Sequence, residues 1–431
     1  MTSRPLRAIQ ATLALAVFLL VTHTAPSHAA WEIQKLISGE KAGEYNSLDL
    51  DGNDEIGVSF YDADDGVLRY LYQDNSTMQI VDNSTNNIGL YTSLEFDDSD
   101  CPHISYLDDT NGELRYALGD AAYPDIWDPK TTLDKQLREG EFSSLVLDGD
   151  GIPHISYREE GQNAPSNLKY ITKDSGNWTN GTRVADPPSI AVANGTSIAV
   201  NGNDLPRIAY RGTNSTSLNF ASYNGTNATW SKEVVDANGT TGAFPSLAMG
   251  GDDTAFISYR DEDSGLKLIQ QSSGGWVRED VETGNLGTYT SLALDSDGNP
   301  HISYFGVNGT DLKYAYHNDA IGGDGWNITV VDNATTQGHT TSLRLDSNDM
   351  PHISYYDGGS DALNYATNPT FYSDVGVSEP SETSDTTSDD NNGGGGGGGG
   401  CLMSPEASFG AGWLLLLLVP LMALRLRRTR Q

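Results

Sequence analysis

The segment SLALDSDGNPHISY, Ser291 to Tyr304, contains the pattern that determines how this chain folds. Its two ends, SLAL and HISY, alternate polar and apolar residues, and leucine, isoleucine and tyrosine favour the half-buried positions of a β-strand. The middle, DSDGNP, carries the Asp, Gly and Pro residues that are typical of a tight turn. The segment therefore predicts two antiparallel strands joined as a hairpin.

Related copies of this segment recur along the chain at intervals of 45 to 53 residues. In every copy, serine or alanine lies twelve residues after the first serine. The hairpin therefore has a constant length, and the differences in length between repeats fall in the loops outside it. The first serines are Ser47, Ser93, Ser144, Ser197, Ser246, Ser291 and Ser342. The second positions are Ser59, Ser105, Ser156, Ala209, Ser258, Ser303 and Ser354.

Each repeat contains two further segments with strand character, one like LKYA and one like W-x4-V. Four strands in a unit of this length are typical of a β-propeller blade. No helical periodicity appears between residues 31 and 370. The sequence therefore predicts an all-β fold, a seven-bladed β-propeller of four-stranded blades spanning residues 30–370.

The fourth strands indicate how the ring closes. They contain Trp127, Trp178, Trp230, Trp276 and Trp326, and residues 78–81 take this place in the first unit. The seventh unit ends at residues 363–367 without such a strand, whereas WEIQKL, starting at Trp31, precedes the first unit. We therefore predict that the N-terminal strand completes the last blade, which leaves the ring without a free edge.

The N-terminal end is predicted to be removed on export. Arg4 and Arg7 precede an apolar run, and Ser27 and Ala29 stand at positions −3 and −1 of a signal-peptidase site. Residues 1–29 are therefore predicted to be a signal peptide that is cleaved after Ala29.

The C-terminal end is predicted to tether the protein. Residues 371–400 are rich in Ser, Thr and Asp and end in a glycine run, which predicts a disordered linker. Residues 401–431 contain Cys401, an apolar stretch and four arginines that would keep their end in the cytoplasm. We predict a C-terminal sorting signal or transmembrane anchor in this segment.

Two resemblances refine this interpretation. The tail resembles the three-part sorting signals of bacterial surface proteins, and Cys401 after a glycine spacer is similar to variants in which a membrane protease cuts near a cysteine; a plain membrane anchor is the alternative. The PHISYYD and LKYA repeats resemble those of bacterial secreted propellers, which are grouped with sialidase-like, Asp-box proteins, although the motif S-x-D-x-G-x-T-W is absent. The resemblances imply an exported protein tethered at the cell surface or outer membrane.

Composition limits the partners of the chain. A formal net charge of −34 argues against nucleic acid, because phosphate neutralisation requires basic patches. Two cysteines, Cys101 and Cys401, cannot form a disulfide framework for a chain of this length. We predict no cofactor. The alternative is weak calcium binding at Asp-Gly turns such as Asp148 to Gly151, which match part of a calcium loop but lack its distal glutamate.

Histidines and aspartates at repeat positions are candidate catalytic or metal-ligating residues. His103, His154, His301 and His352 share one position, and Asp97, Asp148, Asp295 and Asp346 end the first strands of the same units. Catalytic residues should be singular, whereas these follow the repeat, so we predict a structural hydrogen-bond network within each blade. The sequence also contains no motif for a sialidase site and none that singles out a pair of acids for glycoside cleavage.

The strongest candidate for a ligand-binding surface is one end of the ring. Successive strands alternate in direction, so the loop entering strand one and the loop after strand two share a face. The entering loops place an aromatic residue two positions before the first serine, at Tyr45, Tyr91, Phe142, Phe244 and Tyr289. The loops after strand two carry acids, among them Asp62, Asp108, Asp261 and Asp357. Aromatic faces beside carboxylates commonly bind sugars; the alternative is that each aromatic residue packs beneath the neighbouring blade.

These patterns favour a binding protein over an enzyme. We interpret the chain as a monomeric cell-surface propeller that binds a surface glycan or a protein ligand or acts in adhesion, because every distinctive residue recurs from blade to blade. A secreted glycoside hydrolase or lyase of sialidase-like type would instead need one asymmetric pocket with perturbed carboxylates. A structural surface spacer would have a flat, featureless face.

Overall fold

The structure is a computed structural model that describes most of residues 31–371 of the 431-residue chain. The described ranges are 31–39, 41–72, 78–121, 126–135, 138–160, 166–184, 192–212, 216–306, 310–317, 325–333 and 338–371. The predicted signal peptide with Ala29, linker residues 372–400 and the predicted anchor with Cys401 lie outside them. In the part that is described, no helix has the length and hydropathy needed to cross a membrane.

Seven antiparallel sheets form the fold; six consist of strands that follow one another in the sequence, and the seventh combines the last three strands with the N-terminal strand. The first strands of neighbouring sheets contact each other all the way round, which places them at the inner edge around a central channel. The predicted all-β fold, a seven-bladed β-propeller of four-stranded blades, is therefore confirmed.

The strands of the first four blades run from the inner to the outer edge in sequence order. Blade 1 contains β2 (Ala42–Leu50), β3 (Ile56–Asp62), β4 (Val67–Tyr72) and β5 (Gln79–Asp82). Blade 2 contains β6 (Ile88–Phe96), β7 (Pro102–Asp108), β8 (Glu113–Leu118) and β9 (Thr131–Asp134). Blade 3 contains β10 (Arg138–Leu147), β11 (Pro153–Glu160), β12 (Asn167–Asp174) and a divided outer strand, β13 (Asn177–Trp178) and β14 (Thr182–Arg183). Blade 4 contains β15 (Val192–Val200), β16 (Pro206–Gly212), β17 (Ser217–Asn224) and β18 (Thr229–Asp236).

The remaining blades follow the same order, except that the outer strand of blade 7 is β1 (Glu32–Ile37). Blade 5 contains β19 (Ala243–Met249), β20 (Ala255–Asp261), β21 (Gly265–Ser272) and β22 (Gly275–Thr283). Blade 6 contains β23 (Thr288–Leu294), β24 (Pro300–Phe305), β25 (Leu312–His317) and β26 (Trp326–Asp332). Blade 7 contains β27 (Gly338–Leu345), β28 (Pro351–Asp357) and β29 (Ala362–Thr367) before β1.

The N-terminal strand closes the ring as predicted. It pairs with β29 in antiparallel register, with Glu32 opposite Thr367 and Gln34 opposite Tyr365. The propeller extends one residue further than predicted, because Phe371, which we assigned to the linker, is buried in the core between blades 6 and 7.

The repeated first serine joins each blade to the next. Its hydroxyl oxygen accepts the backbone N–H of the following blade's first strand, for example from Leu94 to Ser47, and the seven N–H to Oγ distances are 3.0–3.2 Å. The last of these bonds, from Leu48 to Ser342, links blade 1 to blade 7. A closed circle of hydrogen bonds thus surrounds the channel, which explains why serine recurs at this position.

The hydrophobic core is divided into seven clusters, each shared by two neighbouring blades. In most of them a tryptophan in or shortly before an outer strand contacts the third-strand aromatic residue of the preceding blade, with ring centroids 4.9–5.3 Å apart. The pairs are Trp127–Tyr70, Trp178–Tyr116, Trp230–Tyr170, Trp276–Phe220 and Trp31–Tyr314. The N-terminal strand therefore supplies the same packing contact as the outer strands of the other blades.

Candidate ligand-binding site at the channel mouth

The loop that enters each first strand lies tightly against the preceding blade. Gly89 has a φ of 108°, and a Cβ at this position would lie 2.7 Å from Cα of Leu68 on the third strand of blade 1. Only glycine combines this backbone conformation with such a close approach. The same close contact with a third-strand leucine occurs at Gly43, Gly140, Gly242 and Gly287. The glycines therefore set the position of the residues that follow them.

Two residues later, each first strand contains a β-bulge that carries the predicted aromatic residue. The backbone there is left-handed, with φ of 51–55° at Tyr45, Tyr91, Phe142, Phe244 and Tyr289. The register of each strand pair shifts at the same place. Such a conformation is rare for bulky residues and costs free energy. Bulges redirect side chains, and here they turn the aromatic rings toward the channel.

The five aromatic side chains lie together and line one cavity of about 210 Å³. Tyr45, Tyr91 and Phe142 form one arc with ring centroids 4.4 and 4.6 Å apart, and Phe244 and Tyr289 form another at 4.4 Å. All five are half-buried. Within each arc the rings contact one another across neighbouring blades.

Two positions interrupt the circle of aromatic rings. Thr340 of blade 7 has the same left-handed backbone, with φ of 50°, and Gly195 of blade 4 has a φ of 121°; both also line the cavity. They leave one opening between Phe142 and Phe244 and another between Tyr289 and Tyr45. The bulge therefore forms without an aromatic side chain, so backbone geometry alone does not explain why five of the seven positions are aromatic.

The tyrosine hydroxyls at the mouth remain protonated. Burial raises the pKa of Tyr45, Tyr91 and Tyr289 above its ordinary value, and the negative charge of Glu44 acts in the same direction on Tyr45 and Tyr289. The mouth therefore presents neutral O–H groups beside aromatic faces, and the Glu44 carboxylate lies near two of them. Glu44, the half-buried residue before Tyr45, was missed in the sequence analysis. Its place beside the aromatic position in the bulge is the signal that would have identified it.

Beneath the aromatic residues, a second set of hydrogen bonds joins adjacent blades. The residue before the first serine bonds to the second-strand serine of the preceding blade, as in Ser59 Oγ to Thr92 Oγ1 at 2.6 Å. Equivalent bonds occur in five further pairs: Ser105–Ser143, Ser156–Thr196, Ser258–Thr290, Ser303–Thr341 and Ser354–Asn46. At the seventh junction Ala209 replaces serine and Pro245 stands opposite, so both polar groups are absent together.

The four predicted acids share the face of the mouth, but they are engaged in turns. Asp62 and Asp108 stand opposite the starts of β2 and β6, which confirms that the two sets of loops lie at the same end of the blades. Asp62, Asp108, Asp261 and Asp357 are at most 7% exposed. Each carboxylate accepts a backbone N–H of the following turn at 3.0–3.2 Å. The aromatic residues are therefore the part of the predicted site that is open to a ligand.

The repeated histidines form the predicted structural network. His154 Nε2 lies 3.0 Å from Asp148 Oδ2, and its Nδ1 lies 2.6 Å from the hydroxyl of Tyr170. The same Asp–His–Tyr arrangement occurs at His103, His301 and His352. The other oxygen of Asp148 accepts the backbone N–H groups of Asp150 and Ile152, so the Asp-Gly segment is a hairpin turn. Among the described residues, no three His, Cys, Asp or Glu side chains are grouped to hold a metal ion.

Comparison with solved structures identifies related propellers. An ulvan lyase, a polysaccharide lyase bound to -[GlcA(1-4)Rha3S]-, has a TM-score of 0.53 at 11% identity, covering 80% of this chain and 98% of that chain. A Hadza microbial sialidase has a TM-score of 0.48 at 12% identity, covering 71% and 74%. Aleuria aurantia lectin in complex with Fucα1-6GlcNAc has a TM-score of 0.46 at 15% identity, covering 69% and 99%. The likeness shows the fold alone.

Comparisons of the sequence give no relative. No family model matches the chain, and no curated protein is similar to it. What is established about the chain is therefore its β-propeller fold.

Deeper in the channel, the structure brings together three charged residues that sequence analysis missed. Arg344 of blade 7 donates to Asp49 of blade 1 at 2.8 Å and to Glu95 of blade 2 at 3.0 Å. All three stand two residues after a first-strand serine. The equivalent residues in the other blades are Val146, Ala199, Ala248 and Ala293. An alignment of the seven repeats would have shown that three of them have an ionisable residue at this position, where the other four have valine or alanine.

Burial and the negative charge of Asp49 raise the pKa of Glu95 from 4.5 to about 8. The folded protein then keeps a proton that the unfolded chain loses between these two pH values. The stability contribution of Glu95 therefore falls as pH rises from about 4.5 to 8. We expect Glu95→Gln to remove this decline, which is on the order of 3 kcal/mol between pH 5 and 8. Urea unfolding of both proteins across this range measures it.

A suitable control is Glu233→Gln on the outer strand of blade 4, where the side chain is exposed. This variant should follow the wild-type pH profile. Parallel profiles for wild type and Glu95→Gln would show that Glu95 is ionised in the folded protein at neutral pH.

Proposed function

We propose that the protein is a cell-surface glycan-binding propeller whose site is the circle of aromatic residues at the channel mouth. The observation that carries the proposal is the conformation of Tyr45, Tyr91, Phe142, Phe244 and Tyr289, five large side chains kept at positive φ around one cavity. Gly195 and Thr340 show that the bulge does not require them. The free energy cost of this conformation is explained if the aromatic faces bind a ligand.

The chemistry of the mouth suits a saccharide. Aromatic faces contact the C–H surface of a pyranose ring, and neutral tyrosine hydroxyls together with the Glu44 carboxylate donate and accept hydrogen bonds with sugar hydroxyls. Burial keeps the tyrosine hydroxyls protonated at neutral pH. The propeller neighbours that act on or bind sugars include the ulvan lyase, which agrees with this ligand class.

One observation bears on the alternative, a glycoside hydrolase, because Asp49 and Glu95 form a pair of acids in the channel. Their geometry argues against cleavage. Glu95 hydrogen-bonds to Asp49 directly, and both are bonded to Arg344. Two catalytic carboxyl groups must stand about 5 Å or more apart to flank a glycosidic bond. We therefore favour binding over hydrolysis.

A glycan array with the full chain, with and without calcium, tests the proposal and the alternative of weak calcium binding. For an uncharged saccharide that binds, Tyr91→Ala should weaken the affinity about tenfold or more, because Tyr91 contacts the aromatic ring on each side of it. Isothermal titration calorimetry measures the change, and circular dichroism confirms that the variant is folded.

The matched control is Tyr72→Ala, since Tyr72 is half-buried at the opposite end of blade 1. It should bind as the wild type does. An array without any bound saccharide, or a Tyr91→Ala variant that keeps full affinity while losing stability, would assign the aromatic residues to packing.

A further inference from the structure

Blade 3 differs from the other blades at its outer edge. Its fourth strand is divided into β13, which pairs with the end of β12, and β14, which pairs with Lys169 and Tyr170. Between them the chain passes inward at Gly181. A Cβ there would overlap the hydroxyl of Tyr157 and the carboxylate of Asp134. Glycine thus permits this inward path, and space remains between blades 3 and 4.

The space is a cavity of about 510 Å³ on the rim of the propeller, lined on one side by blade 4. Trp230 and Tyr223 stand directly opposite each other on neighbouring strands, with ring centroids 5.2 Å apart. Lys232 follows Trp230 by two residues, so its side chain leaves the strand on the same face. All three line the cavity, and the two aromatic side chains are half-buried.

The cavity is cationic although the protein is strongly acidic. Lys232 is exposed, and none of the described residues forms an ion pair with it. Arg183 of blade 3 lines the same cavity as Lys232, and its side chain is half exposed. One guanidinium nitrogen of Arg183, Nη2, lies 2.9 Å from Oε2 of Glu159. Arg183 and Lys232 are the basic residues among those that line the cavity, and no acidic residue is among them, whereas the whole chain carries a net charge of −34.

We propose that this interblade cavity is a second saccharide site and that it binds uronic-acid residues. The pyranose ring would lie against Trp230 and Tyr223, and the carboxylate would accept charge-assisted hydrogen bonds from Lys232 and the exposed side of Arg183. The overall negative charge repels anions from the rest of the surface. Binding of an acidic sugar therefore requires a local cationic site of this kind.

Two hexasaccharides that differ only at C6 test the proposal: β-1,4-linked glucuronate and cellohexaose. Calorimetry with the full chain should give binding of the glucuronate, at least tenfold tighter than cellohexaose and weaker at higher salt. Lys232→Glu should reduce the affinity at least tenfold. Tyr223→Ala, which removes an aromatic face without removing the charge, should also reduce it.

The matched control is Lys35→Glu, the same charge change on the exposed outer strand of blade 7. It should alter the affinity less than twofold. Loss of glucuronate affinity in Tyr91→Ala without loss in Lys232→Glu would place the glucuronate at the channel mouth instead, so failure at one site is distinguishable from failure at the other. Equal affinities for the two hexasaccharides, equal losses in Lys232→Glu and Lys35→Glu, or no glucuronate binding at millimolar concentration would overturn the proposal.

Discussion

Replacing Gly89 with alanine should lower the free energy of unfolding by about 3 kcal/mol, because two costs combine. The residue has a φ of 108°, which L-amino acids rarely adopt, and its new Cβ would lie 2.7 Å from both Cα and Cβ of Leu68. The first strand of blade 2 would have to move away from blade 1. Since Gly89 positions the bulge that carries Tyr91, any ligand affinity at the mouth should fall as well. Urea unfolding monitored by circular dichroism measures the loss of stability.

Gly151→Ala is the control that separates the two costs. Gly151 also has positive φ, 72°, but nothing lies within 4 Å of its Cβ position. This variant should lose only about 1 kcal/mol, the cost of the backbone conformation. Equal losses at Gly89 and Gly151 would mean that contact with the neighbouring blade does not limit the position of the entering loop.

Replacing Trp31 with alanine should destabilise the closure of the ring by about 3 kcal/mol. Trp31 precedes β1, packs against Tyr314 with ring centroids 5.1 Å apart, and contributes to the core between blades 6 and 7. Loss of this contact weakens the attachment of β1 to β29. Hydrogen exchange of the β29 amides, Ala362–Thr367, should accelerate along with the fall in unfolding midpoint.

Ile33 provides a comparison within the same strand, because its side chain is 46% exposed and points away from the core. Ile33→Ala should change the free energy of unfolding by about 0.5 kcal/mol or less. Similar effects for Ile33→Ala and Trp31→Ala would indicate that pairing in the strand, rather than the tryptophan, holds the ring closed.

The fold was predictable because each of its features recurs. The constant separation of Ser47 and Ser59, repeated in all seven units, reflects directly opposed residues in a hairpin. The segment at Trp31 has the pattern of a fourth strand but precedes the first unit, and the seventh unit has no fourth strand. The two could therefore be matched from the sequence. The aromatic positions at the mouth were predictable for the same reason, since they keep a fixed offset from the serines.

Features that depend on contact between distant residues were not predictable. The acids Asp62 and Asp108 are common in binding sites and in turns, and only their burial shows that here they form turns. Asp49, Glu95 and Arg344 lie far apart in the sequence and meet only across the channel. The rim cavity depends on Gly181 fitting over Tyr157, which no periodicity indicates.

The sequence by itself determined the number of blades, the strands in each blade, the closing strand and the face that carries the aromatic residues. These follow from local periodicity and constant spacing, which any hairpin repeat imposes on its own residues. Only the tertiary structure decided which side chains remain open to a ligand, how the aromatic rings group into two arcs and where charges meet. Burial and charge proximity depend on the packing of one blade against another, and that packing joins residues about 50 or more positions apart.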